Sequence, residues 1–391
     1  MSDVNVNYSF GTDRIVTPEV TLERISPLLK QCGISRCADV TWLDNIGIPV
    51  YCAVRPNASF LQLSNGKGLT ESAAKVSALM EAIEVFHAEN PSKSAITQYS
   101  LNELKSSGKN ILTSNDLTYQ QGIKHFPDMK VEWVRGIELF SQEEVWAPSS
   151  LVYFGRQQSF IQTGTNGLAS GNHAIEALLH SLYELIERDA ISSLSQSGRL
   201  NISDLCQILD LKSLPNGELT KLFEHINASG SKLVVLACPS VIKTPTFWAV
   251  LLNPETSINA TAFNVGFGCH VDPEIALCRA ITEAAQSRAS IIQGAREDIL
   301  IKPVWEEKKS PQSSKAYQFF DKLKVDTSWS DISINCSPKF INLQENYAHV
   351  LSALSAQGHN KIYKFDLTRD DLNIPVVKLV CPTLRFNSKF F

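Results

Sequence analysis

One stretch of the sequence, residues 177–190, combines an ordinary apolar helix face with a line of groups that could do chemistry. It reads ALLHSLYELIERDA, and its leucine and isoleucine residues recur at the spacing of a helix that packs on a core. His180, Glu184 and Glu187 fall on a separate stripe of the same helix, with Arg188 beside them. Such a stripe is either a solvated acidic face or a set of oxygen ligands with a neighbouring cation.

The same polar spacing recurs on two other predicted helices. In each, a polar residue is followed four and then seven positions later by an acidic or amide residue. The three sets are Ser77, Glu81 and Glu84; His180, Glu184 and Glu187; and Arg279, Glu283 and Gln286. Glu176 extends the second set by a further turn. A solvated face explains one such stripe well and three repetitions less well.

Carboxylates that share a cavity need cations. Like charges at helical neighbour spacing cost roughly a few tenths of a kcal/mol each, and burial raises that cost. Mg²⁺ prefers oxygen ligands and is commonly held by one or two carboxylates together with the phosphates of a nucleotide. Neither His nor Cys recurs at zinc-ligand spacing, and Arg188 and Arg279 could contact phosphate oxygens. The stripes therefore predict a magnesium nucleotide site.

Three helices must position these stripes. Capping and turn signals predict helices over residues 71–89, 173–192 and 272–294. In the third, Asp272 is the expected N-cap and Pro273 the first helical residue. Each helix follows a glycine-containing or turn-forming loop, whose backbone N–H groups could cradle a phosphate.

The loops do not match the familiar nucleotide motifs. In the stretch around SNGKGLT, Leu61 stands where a P-loop needs its first glycine and Gly68 where it needs Ser or Thr. In GFGCHV, Val271 stands where a dinucleotide loop needs its last small residue. Any ATP site in this chain is therefore a non-standard one.

Strand-like runs alternate with the helical patterns. Apolar runs occupy residues 48–54, 232–238, 247–253 and 374–380. This alternation predicts a mixed α/β (α+β) fold. No linker divides the chain, so residues 61–391 are expected to form one compact unit with residues 1–60 packed on it as a lead-in. Segments near residues 90–126 and 305–338 are expected to be peripheral elaborations.

Composition excludes several classes of partner. The chain has 391 residues, 43% of them hydrophobic, and a net charge of −4. It lacks the broad basic field of a nucleic-acid-binding protein. No apolar run approaches the ~20 residues needed to span a bilayer, and the polar N-terminus has no leader pattern, so we expect no membrane association and a cytoplasmic location. The nine cysteines include no CxxC pair and are expected to be buried free thiols.

The three helices and their preceding loops resemble the ATP-site blocks of the YcaO family. The matching stretches span residues 64–298 in the family's order: NGKGLTESAAKVSALMEAIE, TNGLASGNHAIEALLHSLYELIERDA and GFGCHVDPEIALCRAITEAAQSRASIIQGARED. The family is known for ATP-dependent activation of peptide backbone amides. The resemblance implies a YcaO-type fold, with strands and three long helices converging on the site of two cofactors, ATP and Mg²⁺, and residues 61–391 as the catalytic domain.

The resemblance also implies roles for particular residues. The implied nucleotide-binding residues are Arg14, Lys67, Ser77, Glu81, Asn172, Glu176, Glu184, Arg188, Arg279 and Glu283. The implied Mg²⁺ ligands are Glu81, Glu84, Glu184 and Glu187, with Glu84 and Glu187 as first choices. Catalytic roles fall to Glu187, Arg188 and Arg279. An exposed lysine is an alternative for Lys67, and His180 is either a structural histidine or a general base.

The implied reaction has two possible products. After a nucleophile adds to the amide carbonyl, phosphorylation turns the oxygen into a leaving group. A Cys, Ser or Thr side chain of the substrate then gives an azoline, whereas external sulfide gives a thioamide. Residues 11–56 are similar to the lead-in of members that work beside a TfuA-type partner in thioamidation. Residues 374–391 lack the alternating proline run typical of azoline-forming members. Thioamidation of a peptide or protein is therefore the first expectation, and azoline formation is the second.

Other classes of function stay open. A non-catalytic scaffold that binds a peptide is one alternative, although such a scaffold would be expected to lose carboxylates that are costly when unoccupied. A simple ATPase or a kinase for a small molecule is another. A second copy of the chain, forming a homodimer, is a further candidate partner besides the peptide substrate and the TfuA-like protein.

Overall fold

The fold is given by a computed structural model of the chain. It describes residues 4–112, 127–155, 164–196, 199–254, 259–296, 314–334, 336 and 339–387. Parts of the two predicted elaborations lie outside these described residues, namely 113–126 in the first and 305–313, 335, 337 and 338 in the second.

The described residues form helices and strands in a mixed order. The helices are α1 (Pro18–Ile25), α2 (Glu71–Glu89), α3 (Leu101–Ser106), α4 (Ser149–Val152), α5 (Ala174–Ser193), α6 (Ile202–Leu205), α7 (Glu218–Ala228), α8 (Asn259–Ala262), α9 (Pro273–Gln293), α10 (Lys315–Asp321), α11 (Trp329–Ser333) and α12 (Leu343–Ala356). The strands are β1 (Arg36–Asp39), β2 (Val50–Val54), β3 (Leu63–Lys67), β4 (Ile96–Tyr99), β5 (Val131–Glu138), β6 (Glu144–Pro148), β7 (Leu168–Ser170), β8 (Ser195–Gln196), β9 (Arg199–Leu200), β10 (Gln207–Ile208), β11 (Lys232–Ala237), β12 (Thr246–Leu252), β13 (Phe263–Cys269), β14 (Tyr363–Asp366) and β15 (Val376–Val380).

The strands pair into antiparallel sheets. A three-stranded sheet has the order β1-β2-β3, and a four-stranded sheet has the order β10-β11-β12-β13. A six-stranded sheet has the order β4-β5-β14-β15-β7, with β6 also paired to β5, and β8 pairs with β9. The expected mixed α+β class is confirmed, and the four predicted apolar runs correspond to β2, β11, β12 and β15.

Each of the three long helices packs on a different sheet. Helix α2 lies on β2 and β3, α5 on β15 and β7, and α9 on β12 and β13. The layers are joined because α2 also contacts β7, α9 also contacts β3, and α5 also contacts β13. The three polar stripes are thereby brought to one place in the molecule.

Close helix–strand packing explains glycines that the sequence associates with phosphate loops. A Cβ on Gly66 of β3 would lie 1.9 Å from the backbone nitrogen of Ala78 in α2. A Cβ on Gly268 of β13 would lie 2.1 Å from the carbonyl oxygen of Ala276 in α9. Both alanines are fully buried. These glycines let each helix approach its sheet, which no larger residue would allow.

The cysteines and the helices agree with two further expectations. All nine cysteines are free thiols, and all except Cys37 and Cys336 are buried. Across the described part of the chain, no helix combines the length and apolar character needed to cross a bilayer.

Candidate active site

The three polar stripes meet in one half-buried acidic cluster. It contains Glu81 and Glu84 from α2, Glu184 and Glu187 from α5, and Glu283 from α9. Burial raises the pKa of Glu81 to about 7, and the charges of Glu283 and Glu184 add to this effect. Side chains from all three helices therefore act on one another, as the convergence predicted from the stripes requires.

Most members of the acidic cluster resist ionisation. Burial raises the pKa of Glu84 to about 8 and that of Glu187 to about 7, and it also raises the pKa of Glu184. Arg188 lies 3.7 Å from a carboxylate oxygen of both Glu184 and Glu187, and it opposes the effect without cancelling it. Burial thus disfavours the ionised form of these four carboxyl groups in the absence of a bound cation.

Glu283 is the exception in the acidic cluster. Its side chain forms an ion pair with Lys67, which lies at the end of β3. It also accepts a hydrogen bond of 3.3 Å from the backbone N–H of Phe267. Burial alone would raise the pKa of Glu283, but Lys67 and Arg188 outweigh it and leave the pKa below its ordinary value. The Lys67 side chain is only 21% exposed, unlike that of an ordinary surface lysine, and its role toward a nucleotide stays a prediction.

Arg14 and Arg279 lie close to the acidic cluster, and we call them, with His180 between them, the cationic wall. The Arg279 guanidinium donates to Nδ1 of His180 at 3.1 Å, so the neutral ring carries its proton on Nε2. Burial and then Arg279 and Arg14 hold the pKa of His180 well below its ordinary value. His180 is consequently an uncharged N–H donor between Arg14 and Arg279. Its Nδ1 atom already accepts a hydrogen bond from Arg279, so it is not free to act as a general base.

Two predicted nucleotide-binding residues have other hydrogen bonds in this structure. Glu176 is 1% exposed, and its two oxygens accept from the backbone N–H groups of Ile15 and Asn172, each at 2.7 Å. The Asn172 side chain donates to Thr21 at 3.0 Å. These contacts fix the N-terminal segment to α5, and that segment carries Arg14 into the site. Ser77 lies half-buried one turn before Glu81.

The donor set of the acidic cluster fits Mg²⁺ in a particular way. Within the described residues, no three His, Cys, Asp or Glu side chains form a group that could hold a metal ion by themselves. The available donors are carboxylate oxygens, which suit a hard divalent cation. Mg²⁺ usually takes one or two carboxylates and completes its shell with phosphates and water. The site therefore fits Mg²⁺ that arrives with a nucleotide.

Sequence reasoning missed two polar residues on the strands of the six-stranded sheet. Ser170 of β7 donates to Glu84 from both its backbone N–H and its hydroxyl. Lys378 of β15 is 4% exposed and donates to the carbonyl oxygen of Gly164 at 2.5 Å. Burial lowers the pKa of Lys378 to about 8, against the opposing charge of Glu184. A lysine inside the apolar run IPVVKLV was the available signal.

Comparison with protein families gives one match over most of the chain. The sequence model described as "YcaO cyclodehydratase", binding ATP and Mg²⁺, matches residues 65–385. The chain belongs to the YcaO family. Its family-level description is cyclodehydratase-like activation with ATP and Mg²⁺ as cofactors, so the cofactor prediction is confirmed. The match begins after the N-terminal segment that supplies Arg14.

Relatives of similar length are known by sequence. A protein of Rhizobium leguminosarum bv. trifolii, named as an uncharacterized protein in the tfuA 3′ region, is 31% identical over 95% of this chain and 88% of its own. An uncharacterized protein of Methanothermobacter thermautotrophicus is 30% identical over 94% of each chain.

Solved structures share the YcaO fold. A YcaO structure from Methanopyrus kandleri bound with AMPPCP and Mg²⁺ superposes with a TM-score of 0.77 at 23% identity, covering 97% of this chain and 95% of the other. A heterocyclase in complex with substrate and cofactor gives a TM-score of 0.77 at 21% identity, covering 99% of this chain and 54% of the other. The predicted YcaO-type fold is confirmed.

Proposed function

We propose that this protein uses Mg·ATP to phosphorylate the oxygen of a peptide backbone amide, for the purpose of thioamide formation. The observation that carries the proposal is the acidic cluster, where burial raises the pKa of carboxyl groups on α2 and α5 close to the basic side chains of Lys67, Arg14 and Arg279. In a chain of the YcaO family, such a cluster suits a magnesium-bound triphosphate.

The chain's own residues divide the work by position. Glu84 and Glu187 would hold the cation, since burial disfavours their ionised forms and a bound cation would stabilise them. Arg188 orients Glu184 and Glu187. Arg279 and Arg14 of the cationic wall would bind phosphate oxygens, with neutral His180 between them as a further donor. When bound, Mg·ATP supplies the phosphoryl group that converts an amide oxygen into a leaving group.

Electrostatic positioning is the main contribution expected of these residues. A phosphoryl transfer develops charge on oxygens, which fixed guanidinium groups and N–H donors stabilise in a site that excludes bulk water. Glu187 is 4% exposed and Glu176 is 1% exposed, so these two carboxyl groups are shielded from bulk water. We accordingly assign catalytic roles to Glu187, Arg188 and Arg279.

The choice of thioamide over azoline rests on a relative. The Rhizobium protein named for its place in the tfuA 3′ region aligns with 95% of this chain, which favours a TfuA-like partner and a sulfide source. Azoline formation is the second candidate. It is favoured by the family's cyclodehydratase description and by the heterocyclase whose structure covers 99% of this chain.

Radiolabelled sulfide tests the proposal even while the substrate polypeptide is unidentified. The protein, with and without a TfuA-like protein from its source organism, is incubated with ³⁵S-sulfide, Mg·ATP and a source-cell extract that lacks this protein. We expect ATP-dependent ³⁵S in polypeptide that resists thiol reductants, because a thioamide carbon–sulfur bond is not a disulfide or persulfide. Glu187→Gln should abolish incorporation, and the exposed helix variant Glu224→Gln should not.

The outcomes separate the candidate functions. Peptides that lose one water in the same extract, with no incorporated sulfur, would identify the azoline reaction instead. ATP hydrolysis that needs neither sulfide nor polypeptide would favour an ATPase or small-molecule kinase. If the protein binds a peptide but turns over no nucleotide under any condition, the non-catalytic scaffold is the remaining alternative.

A further inference from the structure

A polar pocket is lined by the cationic wall of the site, and we call it the Asp13 pocket. It is lined by Asp13, His180, Tyr183, His270, Arg279 and Asn346, among others. Arg279 lines this pocket and its charge also acts on Glu187 of the acidic cluster. A molecule in the Asp13 pocket would lie directly beside the groups proposed to bind phosphate.

One carboxylate oxygen in the Asp13 pocket has no partner. Asp13 is 6% exposed, and its Oδ1 atom makes no hydrogen bond within the described residues. The backbone holds the residue in place, because Tyr8 and Arg14 form an antiparallel bridge around it and Ile15 donates to Glu176. An unpaired buried acceptor is costly unless a ligand supplies a donor. The fold thus presents an acceptor to whatever enters the pocket.

The neighbouring polar groups do not satisfy Asp13. Nδ1 of His270 accepts from the backbone N–H of Asp272 at 3.0 Å, so the neutral ring carries its proton on Nε2. That nitrogen is 3.8 Å from Oδ2 of Asp13, which is beyond hydrogen-bond distance but makes His270 a close neighbour of the carboxylate. The Tyr183 hydroxyl donates to Asn346 at 2.7 Å and is therefore engaged elsewhere.

We propose that Asp13 is the proton acceptor in the collapse of the phosphorylated adduct, and that His270 positions its carboxylate. The inference rests on the proposed function. In the adduct, one carbon carries the transferred phosphate on oxygen, the incoming S–H group and the amide nitrogen. The S–H proton moves to Asp13, the S–H electron pair forms the C=S bond, and the C–O bond breaks to release phosphate. For an azoline the proton comes instead from N–H, and C=N forms.

The surroundings of Asp13 suit this role. Burial raises its pKa to about 6, Asp272 adds to the rise, and Lys339 and Arg14 oppose it. The other charged or titratable groups that line the pocket are Arg14, Glu176, His180, Tyr183, His270 and Arg279. Burial keeps His180 and His270 neutral by holding their pKa values well below the ordinary value. A carboxylate with the pKa of Asp13 stays ionised above neutral pH and holds a proton better than an ordinary aspartate.

Asp13→Asn tests the assignment because it keeps the size and removes the base. With the sulfide assay, we expect product formation to fall by about 100-fold or more, the range found when a general base is lost. Exchange of ¹⁸O between the bridging and non-bridging positions of ATP should persist, since it requires only reversible phosphorylation. Calorimetric binding of Mg·AMPPNP should stay at the wild-type value. Asp370→Asn, at an exposed position, is the matched control.

The role of His270 needs its own readout. His270→Leu removes the N–H group beside Asp13 and should move the acid inflection of the product rate upward from its position near 6. His270→Gln retains an N–H donor and should restore the inflection toward the wild-type position. An unchanged inflection in His270→Leu would show that His270 has only a structural role.

Several results would overturn the assignment of Asp13. Product formation by Asp13→Asn near the wild-type rate would show that another group takes the proton. If Asp13→Asn binds Mg·ATP more weakly than the wild-type protein does but binds Mg·2′-deoxyATP equally well, Asp13 contacts the 2′-hydroxyl of the ribose instead. If the wild-type protein incorporates no sulfur and forms no azoline, the proposed function fails first. If the wild-type protein forms product and Asp13→Asn forms it at the same rate, the proposed function stands and only the role of Asp13 is wrong.

Discussion

Glu84 accepts two hydrogen bonds from Ser170, one of 2.8 Å from the backbone N–H and one of 2.6 Å from the hydroxyl. This contact ties α2 to β7, the strand just before α5, and so couples two of the three helices that carry the acidic cluster. Even with both bonds, burial raises the pKa of Glu84 to about 8. In the nucleotide-free protein, Glu84 is therefore largely protonated at neutral pH, and a bound cation would replace that proton.

The nucleotide-free protein should lose stability as the pH rises through neutrality. The pKa values of Glu81, Glu84 and Glu187 lie at about 7, 8 and 7, above the ordinary value of 4.5, so the folded state binds more protons than the unfolded state. Their stabilising contribution is complete below pH 4.5 and is lost as the pH rises through 7 to 8. Thermal unfolding midpoints should fall from about pH 6 to about pH 8.

Two controls belong to that measurement. The double variant Glu84→Gln, Glu187→Gln should show a shallower decline, since two of the titrating groups are gone. Mg²⁺ with AMPPNP should raise the midpoint most at the alkaline end. A midpoint that rises over the same interval in the nucleotide-free protein would show that the acidic cluster is already ionised.

Binding of magnesium nucleotide should release protons near neutral pH. A carboxyl group must be ionised to ligate the cation, and Glu84 and Glu187 are partly protonated at pH 7 in the free site. Calorimetric titration with Mg·AMPPNP in buffers of different ionisation enthalpy measures this release. Heats that do not depend on the buffer would contradict the shifted pKa values.

Lys67 should contribute to nucleotide affinity through charge and position. Lys67→Met removes the ion pair with Glu283 and leaves that carboxyl with a higher pKa. We expect KM for ATP to rise by about 10-fold or more, the effect of losing one charge-assisted hydrogen bond. Lys67→Arg should recover part of the loss. Lys105→Met, at an exposed lysine, is the control and should leave KM unchanged.

Gly66→Ala should destabilise the fold itself. A Cβ at this position would lie 1.9 Å from the backbone nitrogen of Ala78, so α2 must move off its sheet. We expect a loss of about 3 kcal/mol in the free energy of unfolding, at the upper end for overpacking. Gly217→Ala, where the new methyl group meets nothing within 4 Å, should cost less than about 1 kcal/mol. Equal costs in urea denaturation would contradict the packing explanation.

Local signals were enough to predict the three long helices. Asp272 is the N-cap of α9, Pro273 its first residue and Gly294 its left-handed C-cap, as expected from residue types that act through their immediate neighbours. The polar stripes on these helices could be predicted too, because they depend only on the spacing of residues within one helix. That they meet could be inferred only from their repetition and from the family resemblance.

Contacts between distant parts of the chain were beyond the reach of local patterns. Glu176 binds Ile15 across 161 positions, which makes it part of the scaffold around the site as well as a predicted ligand residue. Asp13 lies in an N-terminal segment without helical or strand periodicity, and Lys378 lies in a run that reads as a core strand. Their importance depends on which surfaces the fold brings together.

Magnesium-dependent binding of ATP by variants of the acidic cluster tests the central claim most directly. In calorimetric titrations with Mg·AMPPNP, Glu84→Gln and Glu187→Gln should each weaken binding by about 100-fold or more, beyond the loss typical of an outer-shell partner. Glu224→Gln should bind like the wild-type protein, and circular dichroism should show all three variants folded. Wild-type affinity in both Glu84→Gln and Glu187→Gln would contradict the account, because the converging carboxylates would then not hold the magnesium nucleotide.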